Sequence, residues 1–161
     1  MNVRTLVING LLAALYVAVS LVFKPIAFEM FQFRVPEMLN HLIVFNKKYI
    51  YGIVGGVFIS NLLFSPMVPY DLIFGVGQSL LALLLVIFAS RFIKSIKGRM
   101  IVTIIFFTFT MFLIAIELNL AFGLPFWLSW MTTAVGEFVV LLIGAPIIYG
   151  MNKRIQFEKW L

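Results

Sequence analysis

The 161-residue chain is 63% hydrophobic and 11% charged, with 18 phenylalanines, a composition that excludes a soluble globular domain and fits a polytopic helical membrane protein. It has no cysteine, so disulfide scaffolds, thiolate metal sites and cysteine nucleophiles are excluded. A net charge of +6 invites a nucleic-acid reading, but the basic residues are distributed by membrane side instead.

The first apolar run covers residues 5–23 and is long enough to span. Lys24 and Pro25 follow it with no small-residue cleavage site, which argues against a cleaved signal. Within it Gly10, Ala14 and Ala18 recur every fourth position, a face narrow enough for another helix to approach closely. Scattered small residues are the plainer account of the same pattern.

Residues 31–41 interrupt the apolar sequence with an Arg, a Glu, an Asn and the only His. Pro36 holds Val35 out of the α region, so a helix is expected to start there and run on through Glu37. Only about ten residues separate Glu37 from Lys47 and Lys48, roughly 15–18 Å of helix against ~30 Å of hydrocarbon. Either this helix does not span alone, or residues 28–36 dip into the membrane beside it, where non-helical backbone needs protein or a watery cavity around it. We read the stretch as lid and wall of a binding pocket; the alternative is an interfacial loop with an Arg–Glu surface pair.

Four more runs follow, over residues 49–65, 72–92, 100–120 and 126–150. The first has a small-residue side (Gly52, Gly55, Gly56, Ser60), and a tight, uncharged connection at 121–125 joins the last two. The chain is thus expected to be a single all-α transmembrane domain, residues 1–161, of six helices. With six spans, ten Lys and Arg residues (4, 47, 48, 91, 94, 97, 99, 153, 154, 159) fall on one side, and only Lys24 and Arg34 on the other. That asymmetry places both termini in the cytoplasm.

Polar groups concentrate toward the outer half. Asn40 and His41 sit near the outer start of the second helix, Asn61 far up the third, and Asp71 and Gln78 at the outer end of the fourth. Glu117 and Asn119 lie in the outer quarter of the fifth, and Glu137 near the midplane of the sixth. Charges in hydrocarbon cost at least ~2.5–3.5 kcal/mol each, so they normally face a cavity or a partner. The pattern describes a cup open outward and closed below. Water at the interface could equally solvate Asp71 and Glu117, and Asn61 could merely bridge helices; Glu137, deepest and beside Gly136, is hardest to explain that way. A lone His41 is more often packed than metal-bound, and no ligand set accompanies it. Neither a phosphate loop nor a nucleophile motif is present, so no catalytic residue and no cofactor is expected.

The residues from Phe31 to Glu37, the Gly-rich third helix ending at Asn61, the segment from Asp71 to Gly75 and the pair Gly136-Glu137 resemble the QueT family. Those are queuosine-precursor transporters, substrate-binding S components of energy-coupling factor (ECF) transporters. The resemblance covers nearly the whole chain; Pro36 departs from it, at a position where a small residue such as Ser is expected. It implies a six-helix S-component bundle in the plasma membrane that captures a 7-deazaguanine. It also implies that the Gly10/Ala14/Ala18 face docks on a coupling subunit, with two separate ATPase subunits supplying the energy.

A guanine-type edge offers adjacent N–H donors to one carboxylate, while its carbonyl seeks an amide or Arg donor and its faces seek aromatic rings. The candidate ligand residues are therefore Phe33, Arg34, Glu37, Asn61, Asp71, Gln78, Glu117, Trp127, Trp130 and Glu137. An S component for another vitamin, a small membrane enzyme using Glu137 and Glu117, and an assembly subunit remain the alternatives.

Overall fold

The computed structural model describes residues 2–27 and 31–161. The expected membrane dip over 28–36 therefore lies partly outside the described residues, at 28–30. Among the described residues all regular structure is helical. Five helices are α1 (Val3–Ala27), α2 (Ile50–Phe64), α3 (Val68–Ala89), α4 (Ile96–Phe122) and α5 (Phe126–Ile155). The sixth rod, Val35–Val44, is a 3-10 helix.

Helices α1, α3, α4 and α5, of 25, 22, 27 and 30 residues, are long and apolar enough to cross a membrane. α2 has 15 residues, about 22 Å at ~1.5 Å per residue, and a 3-10 turn at Lys47–Tyr49 precedes it. The expectation of six rods holds, but among the described residues four meet the length of an independent span. The expected short second helix is the clearest departure. Eight of its ten residues are buried, so it runs inside the bundle between α1, α4 and α5 instead of lining the lipid. Pro36 does open it, as expected. A 3-10 run this long is unusual, and its geometry eclipses side chains at i and i+3. Asn40 is thereby stacked over Glu37, and the two hydrogen-bond.

Glycines let the helices close. An added Cβ on Gly52 would lie 2.8 Å from the Asn9 carbonyl oxygen, and one on Gly56 2.6 Å from Tyr16 Cβ. The Gly52 amide donates to Asn9 Oδ1 at 2.7 Å, satisfying one of the orphan donors of α2's first turn. The face of α1 turned to α2 therefore carries Thr5, Asn9, Leu12, Tyr16 and Ser20, all buried. Gly10, Ala14 and Ala18 are exposed on the other side. At the 121–125 connection Gly123 adopts φ +67° and closes α4 with a bond from its amide to the Asn119 carbonyl, an αL cap that glycine takes without strain.

Two ends of the bundle differ sharply. At one end Arg4 donates to the Lys159 carbonyl, Asn46 to that of Leu161 and Tyr49 to that of Phe157, so both termini meet the 46–49 turn. Arg99 donates to the carbonyls of Ile93 and Val44 at the same end. Beneath it lies the apolar core, where Ile53, Leu83, Val86, Phe107, Leu141 and Ile148 are sealed from solvent. Toward the opposite end the interior turns polar.

Candidate functional site: a buried arginine among four carboxyls

The polar interior is assembled from every rod. Arg34, at the mouth of the 3-10 helix, donates from Nη2 to Asp71 Oδ1 at 2.9 Å. Asp71 opens a π-helical turn, Asp71–Gly75, a distortion that frequently marks functional positions because it re-aims side chains. Its other oxygen accepts from the Ser65 hydroxyl, and its backbone carbonyl accepts from Asn61 Nδ2 at 3.0 Å. Gly75 keeps the space open: a Cβ there would meet Asn61 Nδ2 at 2.6 Å, Asp71 Oδ1 at 3.3 Å and Arg34 Nη1 at 3.5 Å.

Glu37 takes Tyr16 OH on Oε1 at 2.7 Å and Asn40 on Oε2. Glu37, Glu117 and Glu137 all interact electrostatically with Arg34. Glu117 also lies against Asp71; two carboxyls can bond only by sharing a proton, so with both ionised neither oxygen of Glu117 has a donor. Glu137 Oε1 likewise has no hydrogen-bond partner among the described residues. The acids are all but sealed: Asp71 and Glu117 are 0% exposed, Glu137 1% and Glu37 2%. The surplus is of acceptor oxygens.

The stretch expected to form a lid packs against α1 and α5. Phe33 stacks near-parallel on Phe31 with centroids 6.0 Å apart, and its amide donates to the Ile26 carbonyl. Gln32 is buried with φ +45°, a left-handed conformation costly for a residue with a side chain. That backbone lies directly on α5: an added Cβ on Gly136 would be 1.7 Å from the Phe31 carbonyl oxygen. The position beside Glu137 must therefore be glycine for the lid to seat.

Two spaces flank the cluster. A cavity of about 20 Å³ is bounded by Tyr16, Ser20, Arg34, Ser60 and Asn61 among others, room for about one water. A larger space of about 300 Å³ lies above Gln32, bounded by Met67, Leu118, Leu128, Ser129 and Thr132. The cup expected from the sequence is thus closed here, with Gln32 bounding the larger space and Arg34 the smaller.

Several expectations change. Asp71 and Glu117 are not solvated at an interface; both are in the cluster. Gln78 is turned to other work, with Nε2 donating to Thr110 Oγ1 at 3.0 Å and Oε1 accepting from Ser79, a clamp between α3 and α4. Trp127 is 69% exposed, and Trp130 packs edge-on against Phe109 and Phe112 while its ring N–H donates to the Phe109 carbonyl. Trp127 meets Phe126 and Trp130 of its own helix, while Trp130 is held in the aromatic seam between α4 and α5. Phe33 is the candidate ring left at the lid. Among the described residues His41 makes one side-chain hydrogen bond, from Nε2 to the Leu141 carbonyl at 2.9 Å, a packed residue as expected.

Sequence reasoning missed Tyr16 and Ser65 as parts of the site. The signal for Tyr16 was available: with Thr5, Asn9 and Ser20 it forms the polar stripe of an otherwise apolar helix.

With this geometry established, two comparisons bear on it. The family described as "QueT transporter" matches residues 6–153. The chain is also similar to the queuosine precursor transporter QueT of Lactococcus lactis subsp. cremoris (strain MG1363), 38% identical in an alignment that covers 93% of each chain. No solved structure matches it significantly.

Proposed function

We propose, from the premise that this chain belongs to the QueT transporter family, that it is the substrate-binding S subunit of an ECF-type importer and captures a queuosine precursor, a 7-deazaguanine. It is a multi-pass membrane protein of a transporter family; the coupling to ATPase subunits and the identity of the cargo are our reading. The observation that carries the cargo assignment is the set of carboxylate oxygens on Glu117 and Glu137 without donors. A 7-deazaguanine presents N–H donors along one edge, and a carboxylate accepting two of them forms a strong, charge-assisted pair. Four carboxyl groups around the one guanidinium of Arg34 further favour a ligand that carries a cation, which would hold them ionised. The basic end faces the cytoplasm under the positive-inside rule, so the vestibule above Gln32 opens outward and the lid must lift for the ligand to enter.

Titration calorimetry on the purified chain tests this. Binding of 7-aminomethyl-7-deazaguanine, whose amine is cationic, should exceed that of the neutral 7-cyano analogue by roughly tenfold or more, since one added charge-assisted bond is worth ~1.5–3 kcal/mol. Absence of binding to either compound defeats the cargo assignment. Glu137→Gln should weaken binding by a similar ~1.5–3 kcal/mol, because an amide donor then opposes the ligand's own. Its melting temperature without ligand should hold or rise, since a buried charge has been removed. Unchanged affinity would make Glu137 structural and leave Glu117 as the acceptor.

The exposed Gly10, Ala14 and Ala18 face of α1 is the docking surface for the coupling subunit in this reading, because close backbone approach needs small side chains. Ala14→Trp should abolish co-purification with the coupling subunit and stop uptake while leaving ligand affinity within about twofold, the cluster lying on the opposite face of α1. Lost ligand binding with intact assembly would reverse that assignment.

A further inference from the structure

The basic end of the bundle contains a pocket that the transport reading does not use. It is a recess of about 370 Å³ bounded by Val44, Phe45, Asn46 and Lys47 from the exit of the 3-10 helix and by Ile87, Ser90, Arg91 and Arg99 from α3, α4 and their connection. Three of its residues are cationic and none is acidic. Of the five acids among the described residues, four lie outside this end, at 37, 71, 117 and 137, which leaves Glu158 as the one near the termini.

The pocket is built, not merely basic. Arg99 is pinned on one wall, Nε to the Ile93 carbonyl at 2.7 Å and Nη1 to the Val44 carbonyl at 3.2 Å, so its guanidinium joins the end of the 3-10 helix to α4. Lys47 and Arg91 line it as well, and among the described residues neither forms an ion pair or a side-chain hydrogen bond. Polar groups at the rim (Asn46, Ser90) and apolar side chains at the floor (Ile43, Ile87) complete it. Exposed Phe88 and Phe92 on the same stretch of chain mark the level where lipid begins.

We infer that this recess binds the phosphate headgroup of an anionic phospholipid, with Lys47, Arg91 and Arg99 neutralising the phosphodiester and the apolar floor accepting the top of an acyl chain. A phosphate needs several donors around a compact anion, and three cations with no competing carboxylate supply them. A basic pocket between transmembrane helices at the positively charged end faces the leaflet surface where anionic lipids concentrate. The occupant would tie the 3-10 helix, which carries Glu37 at its other end, to α3 and α4. The pocket lies away from the ligand cluster, so its test stands apart from the cargo assignment.

The experiment uses the full chain, delipidated in a neutral detergent, with three probes: phosphatidylglycerol, phosphatidylcholine and inorganic phosphate. Native mass spectrometry should show phosphatidylglycerol retained in preference to phosphatidylcholine, and the same lipid should raise the melting temperature. The variant Lys47→Gln/Arg91→Gln removes the two cations that hold nothing else in place, so folding is retained; its preference for phosphatidylglycerol should fall by roughly thirtyfold, at ~1 kcal/mol for each of the two basic residues. Equal retention of both lipids, or an undiminished preference in the double variant, would overturn the inference. Stabilisation by inorganic phosphate alone, with none from phosphatidylglycerol, would also overturn it, as would rescue of the delipidated chain only by an acidic protein segment.

Discussion

Arg34→Met should be the most damaging single substitution in the chain, lowering stability by about 3–5 kcal/mol and abolishing ligand binding. The size follows from burial. An exposed Arg–Asp pair contributes about 0–1 kcal/mol, but Arg34 and Asp71 are 8% and 0% exposed at their side chains, and breaking a buried pair leaves an uncompensated charge that costs about 3–5 kcal/mol. Here it leaves more than one, because Glu37, Glu117 and Glu137 also depend on the same guanidinium. Arg34→Lys should not rescue it fully, since an ammonium cannot address Asp71 and its neighbours as a planar fork does. Thermal unfolding in detergent measures the loss. Arg34→Met/Asp71→Leu should recover part of it, and the interaction energy from that cycle should exceed about 1 kcal/mol. Additive effects, with Arg34→Met costing under ~1 kcal/mol, would show that the pair is solvated and that the polar interior is not a charge cluster.

Gly136→Ala should reduce ligand affinity by more than tenfold while leaving the bundle folded. Alanine is the better helix former by about 1 kcal/mol, so in an open part of α5 the change should stabilise. Gly150 provides the control: an added Cβ there meets nothing within 4 Å, and Gly150→Ala should raise stability by about 0.5–1 kcal/mol. At Gly136 the same methyl would land 1.7 Å from the Phe31 carbonyl oxygen, so the lid must lift off α5 at the level of Glu137. Calorimetry compares affinities and thermal melts compare stabilities for the two variants. Should Gly136→Ala behave as Gly150→Ala does, the lid does not rest on α5 in solution.

The amino-acid sequence by itself settled the class, the helical rods and the polarity of the two ends. Apolar runs near 20 residues have few alternatives in a bilayer, and basic residues are sorted by side. It also singled out Arg34, Glu37, Asp71, Glu117 and Glu137, because ionisable residues in apolar helices stand out against their surroundings. Which of them meet was decided only by packing. Arg34 and Asp71 are 37 positions apart, and nothing local encodes their ion pair; it depends on Gly75 leaving room and on the π-helical turn that aims Asp71 inward. The 3-10 form of Val35–Val44 was equally invisible, since its short apolar run fits an α-helix as well. That rod is buried among α1, α4 and α5, and tertiary contacts overrode its weak local preference. Gln78, Trp127 and Trp130 show the converse. Each has chemistry suited to a purine, yet each is held by a nearer partner: Thr110 for Gln78, the neighbouring aromatic rings for Trp127 and Trp130. A side chain's chemistry is legible one residue at a time, but its partner is set by the competition among all the groups that folding brings within reach.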